Sequence, residues 1–494
     1  MTANSFFLGL FLTALTAVSK WWQASIARKL YVKSTKFLGI LFSSSAVCRS
    51  FPHKEARQDP YEQSRVAKLL QKMISSAINS LRGTANVLEA SLVGRFCPFI
   101  CSKLEYVIGF CFFVFLVIPN NIWNNFYGLI AALIVLLLFI YKCATDKKTD
   151  YSFSRLDPSF LIFTLCLGFA VINAYDIADS LRVFATDLVP LIFVFITVNL
   201  IKTSKQLDVI IYSLLAGITV LSVYGIIQYA IGIPVDLTQI DVVASGYVPR
   251  VYSTMGNPNN LGEILVLFLP LFAYAIKRCK NWNGKLAVTV LAFLPLVNLA
   301  LSLSRSSWIG FAASIVLFVL IIKPSLVPVL LIVAVLCIPI MPDFIISRLL
   351  TINKDSSSAY RYTIWQSSAY LLRDNPIAWL TGIGLGPAPF AYCIEGYMFD
   401  SPAHSHMLPL EILIELGIAG LTSFLWLAIR FIRKTVAIKD NSRFLAAAVL
   451  CGIGACVVVG FFEYIWFYPR VMWFFFIAIG LLMCITRPDF EHNN

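Results

Sequence analysis

Four histidines occur in 494 residues. Two of them, His404 and His406, stand one residue apart in Pro402-Ala403-His404-Ser405-His406-Met407-Leu408-Pro409-Leu410-Glu411. An imidazole titrates near neutral pH, so it can take a proton from a hydroxyl and give it back. Three arginines lie at the same hydropathy-defined edge. Arg250 precedes the turn-rich Gly256-Asn257-Pro258-Asn259-Asn260 that opens an apolar run, where orphan amides and the helix dipole favour an anion. Arg305 sits among Ser302, Ser304, Ser306 and Ser307 in a short hairpin, and Arg361 shares a helical face with Trp365. Guanidinium forks match phosphate oxygens and stay charged at any relevant pH, so converging arginines suit a diphosphate. Each residue also has a plainer reading. The histidines decorate an interface, Arg250 is solvated beside a capped loop, and Arg305 snorkels beside Trp308. Glu411 and Glu415, at i and i+4, either orient an imidazole or pair with a neighbouring helix. Gly382-Ile383-Gly384-Leu385-Gly386 reads as a tight turn, because no βαβ unit surrounds it to make a dinucleotide fingerprint.

The elements that must carry these residues follow from composition. Hydrophobic residues are 59% of the chain and charged residues 13%, against about a quarter charged in soluble domains. Continuous apolar runs of roughly 18 or more residues recur, enough to cross about 30 Å of hydrocarbon. The fold class is therefore an all-α polytopic integral membrane protein with about twelve transmembrane helices; a β-barrel needs short alternating segments instead. The expected spans lie near 104–119, 125–142, 158–175, 184–201, 208–231, 260–276, 285–303, 307–323, 326–341, 408–431, 443–466 and 469–486.

Lys142, Lys202, Lys205, Lys277, Arg278, Lys323, Arg430, Arg433 and Lys434 fall on alternate connections. The positive-inside rule puts those in the cytoplasm and His404, His406, Arg250, Arg305 and Arg361 on the opposite, extracytoplasmic face. The net charge of +13 thus reflects flanking of spans and attraction to anionic lipid, not a nucleic-acid partner. Four regions result: a basic, amphipathic cytoplasmic region 1–103, spans over 104–341, a long external loop 342–407, and spans with a short tail over 408–494. In the first, Val66, Leu69, Leu70, Met73 and Ala77 recur at helical spacing, and the short apolar Ser5 to Val18 reads as an interfacial helix, an uncleaved span or part of a hairpin with Phe37 to Val47. The loop is long enough to hold short helices. Its lone Cys393 leaves packing to hold it. Twelve cysteines show no metal-ligand spacing, Cys97 and Cys101 being an isolated C-x-x-x-C. No metal or cofactor is expected.

Four stretches together resemble the O-antigen ligase and O-antigen polymerase superfamily of bacterial membrane proteins: Arg250 to Gly262, Ser304-Arg305-Ser306-Ser307-Trp308, Arg361 to Gly386, and His404 to Gly420. In the last, Glu415-Leu416-Gly417-Ile418-Ala419-Gly420 is similar to the family's E-L-G-I-x-G run. Met407 stands where the family usually has Asn after its histidine. The resemblance implies a GT-C-like glycosyltransferase of the inner membrane, working on its extracytoplasmic face without nucleotide sugar or metal. Its partners would be a glycan on undecaprenyl diphosphate, an acceptor hydroxyl on a glycan, lipid or protein, and membrane lipid. Arg250 and Arg361, with Arg305 as a third, would hold the diphosphate, and His406 beside His404 would be the base. A flippase or transporter for lipid-linked oligosaccharide is the alternative, expected to carry charge deep in its spans. An inactive scaffold in polysaccharide export is a third reading.

Overall fold

The computed structural model describes residues 98–146, 149–232, 249–337, 356–398, 402–438 and 442–491, with isolated positions 72, 75, 76, 79, 339 and 346. Most of the expected amphipathic stretch Val66 to Ala77, and the apolar segment Ser5 to Val18, lie outside the described residues.

The described helices are α1 (Leu104–Val117), α2 (Asn125–Thr145), α3 (Pro158–Ile172), α4 (Ile177–Leu200), α5 (Ser204–Ile231), α6 (Pro258–Arg278), α7 (Trp282–Leu301), α8 (Arg305–Ile322), α9 (Val327–Cys337), α10 (Ser356–Asp374), α11 (Pro376–Thr381), α12 (Pro387–Ile394), α13 (Leu408–Ala437), α14 (Ser442–Val459) and α15 (Pro469–Ile485). Eight are long and apolar enough to cross a membrane: α2, α4, α5, α6, α7, α8, α13 and α14. The other four expected positions hold shorter apolar helices, α1, α3, the 324–337 segment and α15. The protein is thus a multi-pass helical membrane protein. Expected span 443–466 ends early, at Val459, because the chain turns there and places 460–468 in the site loop.

The end of α8, from Val316, belongs with α9 to one compact unit. Leu69–Ile315 with Asp343–Asn494 forms the other, which holds Arg250, Arg305, Arg361, His404 and His406. In this unit α1 packs on α5, α4 on α15, α3 on α13, and α6 on both α7 and α14. Helix α15 lies at the centre, with Arg470 to Ile485 all buried. Local chemistry sets the helix starts. Asn124, Asp157 and Asn257 each accept a backbone N–H from their first turns, and Pro158 and Pro258 occupy first helical positions, where no donor is lost. Thr203 and Gln206 form a reciprocal capping box at α5.

Ion pairs tie the helices at one end. Asp157 accepts from Arg430 at 2.9 Å and Lys434 at 2.8 Å, and Asp208 from Arg278 at 2.7 Å. Burial pushes the Asp157 carboxyl up, but Lys434 and Arg430 outweigh it and hold the group at about 2. The starts of α6 and α13 and the end of α14 meet at the other end. There α10 and the short α11 and α12, the helices of the long loop, close over a small core of Ile364, Leu371, Leu372, Ile383, Phe390 and Ile414. Cys393 packs against this core as a free thiol.

Candidate active site

One carboxylate organises the polar end. Glu463, in the turn between α14 and α15, is buried, 9% exposed. Its Oε1 accepts from Arg361 Nη2 at 2.5 Å and from Asn259 Nδ2 at 2.9 Å. Its Oε2 lies 3.3 Å from His406 Nδ1. Asn259 in turn accepts from Arg250 Nη2 at 2.7 Å, and Arg250 Nε donates to the Ser302 carbonyl at 2.9 Å. Arg250, Arg361 and His406, separated widely in sequence, thus belong to one hydrogen-bonded network. Burial alone would raise the Glu463 carboxyl; the Arg361 guanidinium, followed by His406, overrides it and holds the group below its ordinary range. With Glu463 ionised, the charges of Arg250, Arg361 and Glu463 sum to +1, so the network retains capacity for an anion.

Each member is placed by a local cause. Asn257 caps α6 by accepting from Asn259 N–H at 2.8 Å, which fixes the first turn that presents Asn259. Val251 N–H donates to the Leu301 carbonyl and lays the Arg250 segment along the end of α7. The following hairpin is locked by Trp308 Nε1 on the Leu299 carbonyl at 2.8 Å and by Ser304 on Ser307 at 2.9 Å. Arg305 begins α8 on this hairpin, three residues after Ser302, whose carbonyl accepts from Arg250. Arg361 and Trp365 do share a face: Arg361 reaches Glu463, and Trp365 Nε1 donates to the Ser405 carbonyl at 2.9 Å.

The two histidines have different places. His404 is buried, its ring 4.4 Å from the Phe467 ring and 4.1 Å from that of His406. Its Nδ1 accepts the His406 N–H at 3.1 Å, which requires that nitrogen unprotonated. Burial, then the neighbouring His406 and Arg361, lower this imidazole to about 3. His406 is the more open of the two, with 28% of its side chain exposed. With Nδ1 turned to ionised Glu463 and carrying the proton, Nε2 remains as an acceptor, the arrangement a general base needs.

His406 also has φ +54°, a left-handed backbone that costs a non-glycine residue energy. The other two non-glycine residues of positive φ among the described residues are Ser253 and Leu303. These lie in the loops bearing Arg250 and Arg305, so the strain is concentrated around the site.

Glu411 and Glu415 act on the scaffold. Glu411 accepts Ser405 N–H at 2.6 Å; Glu415 accepts Gly386 N–H at 2.9 Å and the Tyr464 hydroxyl at 2.8 Å. The Gly382–Gly386 stretch is the expected tight turn, with all three glycines at positive φ. It docks where α13 breaks at Gly417, φ +67°, so that the Ile414 and Glu415 carbonyls bond Ile383 and Gly384 N–H groups at 2.8 and 3.4 Å. Glu463 is the residue that reading the sequence missed. Its signal is an acid in a connection between two apolar runs.

Fold and site together define a multi-pass membrane protein with a guanidinium–imidazole–carboxylate centre at one end of its helix bundle. Residues 290–425 match the family model described as O-Antigen ligase, so this stretch of the C-terminal half is similar to that family. It is also similar to proteins provisionally named polysaccharide ligases. The match to one in Rickettsia conorii is 27% identical over 52% of this chain and 65% of that protein. For Rickettsia felis the values are 29%, 42% and 53%, and for Rickettsia bellii 28%, 51% and 64%. The chain thus spans about half to two thirds of the length of these curated relatives.

Proposed function

We propose that the protein transfers a glycan from undecaprenyl diphosphate to an acceptor hydroxyl on the extracytoplasmic face of the inner membrane. It would do so as a metal-independent polysaccharide ligase or polymerase. The observation that carries this reading is the Glu463-centred network, which brings two guanidinium groups and an oriented imidazole to one end of a membrane bundle. His406 Nε2 takes the acceptor hydroxyl proton as that oxygen bonds to the anomeric carbon of the donor sugar. The bond from that carbon to the diphosphate oxygen breaks, and the electron pair leaves with the polyprenyl diphosphate. Arg250 and Arg361, with Arg305 nearby, stabilise the charge that develops there. Glu463 holds His406 in the required tautomer, and His404 fixes its backbone. Ligation and polymerisation share these steps and differ only in the acceptor. The extracytoplasmic assignment is supported by the Lys and Arg pairs at the far end of the bundle, among them Arg430, Lys434 and Arg278.

A flippase reading draws on the buried in-span carboxylates Asp187 and Glu263. Assay in detergent separates the two, since no compartments exist there to transport between. Purified protein with polyprenyl-diphosphate glycan and acceptor should form product, and His406→Ala should abolish it while donor binding persists. Undiminished transfer by His406→Ala removes the catalytic assignment.

A further inference from the structure

A cavity of about 330 Å³ opens beside the Glu463 network, lined among others by Asn120, Trp123, Asn125, Asn260, Tyr468 and Arg470. Its size lies within the roughly 300–1,000 Å³ of small-ligand sites. Asn260 follows Asn259 in the first turn of α6, so the cavity and the network share one helix start.

The polar groups in it are unbalanced. Arg470 is buried, 5% exposed, and donates to the Ile118 carbonyl, Asn120 Oδ1 and the Thr254 carbonyl at 2.8, 2.8 and 3.0 Å. Its guanidinium also lies 4.8 Å from the Trp123 ring. All these partners are neutral, and no carboxylate among the described residues pairs with it. A buried cation without a counter-ion is costly and favours an incoming anion. The amide oxygens of Asn120 and Asn125 are taken by Arg470 and by Trp123 Nε1, leaving their NH₂ groups as donors. Asn260 is 4% exposed, lines the cavity, and has no side-chain hydrogen-bond partner among the described residues. An amide open to a cavity and without a protein partner is available to hydrogen-bond a polar ligand.

We propose that this cavity seats one sugar unit bearing a carboxylate, belonging to a glycan engaged at the adjacent Arg250–Arg361–His406 centre. Amide donors meet ring hydroxyl oxygens, Trp123 and Tyr468 offer aromatic surface, and Arg470 supplies the charge that selects an acidic sugar over a neutral one. The assignment rests on reading the neighbouring centre as a glycan-transfer site.

The test uses the full chain in detergent, with methyl glucuronoside, methyl glucoside and inorganic phosphate as probes, read by ligand-observed NMR and tryptophan fluorescence. The glucuronoside should bind at least tenfold more tightly than the glucoside, and equimolar phosphate should not displace it. Asn260→Asp, which adds a carboxylate to the cavity, should weaken glucuronoside binding at least tenfold with an unchanged melting temperature; Asn260→Ala should weaken it less. Equal affinity for both glycosides, displacement by phosphate as for any anion site, or no response to either Asn260 variant overturns the proposal. Arg361→Lys separates the two readings. It should lower undecaprenyl diphosphate affinity and leave glucuronoside binding intact; a wild-type chain that binds glucuronoside but no undecaprenyl diphosphate would sink only the transfer reading.

Discussion

Glu463 joins cations and imidazole, and its role differs from theirs. Glu463→Gln keeps the shape but removes the charge that orients His406, so transfer should fall about a hundredfold or more, within the range ascribed to general-base catalysis. Diphosphate affinity should hold or rise, since a negative charge leaves the anion site. Unchanged turnover would show that His406 needs no such partner. At the arginines, Arg250→Lys and Arg361→Lys lose the planar fork and should each weaken binding of the diphosphate lipid about tenfold, or ~1.4 kcal/mol. Full affinity in both would remove them from the phosphate site.

His404 gives the site a pH signature. Its folded value of about 3 lies below the ordinary 6.5, so below pH 6.5 the unfolded chain binds a proton that the native ring refuses. Stability should therefore decline by up to about 1.4 kcal/mol per pH unit from near 6.5 downward. Glu463, held below its ordinary value, contributes stability at neutral pH that is lost as pH falls through the carboxylate range, so it acts in the same direction. Thermal unfolding in detergent between pH 8 and 4 checks this, and His404→Phe should flatten the slope above pH 5. A melting temperature constant across that interval would contradict the buried neutral imidazole.

The break in α13 is the element on which the site's shape depends. At Gly417 a Cβ would stand 2.4 Å from the Leu380 carbonyl oxygen, and at Gly382 it would stand 2.1 Å from that of Glu415. Both positions also have positive φ. Gly417→Ala and Gly382→Ala should each cost about 2 kcal/mol or more and reduce transfer together with stability. Gly168 in α3, with nothing within 4 Å of a Cβ, is the control: Gly168→Ala should be neutral or stabilising by about 0.5–1 kcal/mol. The helices themselves were legible from apolar runs, and the start of α6 from the turn-rich Asn257-Pro258. The break was not, because Glu415-Leu416-Gly417-Ile418 continues a helical pattern. It forms only because Ile383 and Gly384 take up the carbonyls that the helix gives away.

For the molecule as a whole, the bundle has two chemically distinct ends. If the Glu463 end faces outward, Asn121→Cys at that end should react with an impermeant maleimide in intact cells. Lys285→Cys, near the start of α7, should react only after permeabilisation. The reverse pattern would turn the site toward the cytosol and remove access to an external acceptor.

Sequence by itself determined the membrane class, the positions of the apolar helices, and a short set of rim residues capable of phosphate and proton chemistry. Hydrophobic run length, capping and the scarcity of charge are local properties, readable without knowing which helices touch. Tertiary structure decided what those residues do to one another. Arg250 and Arg361 lie more than a hundred positions apart, and Glu463 another hundred further, so only helix packing sets their distances. Packing likewise divides the two histidines, since His404 is buried against Phe467 while His406 stays open beside Glu463.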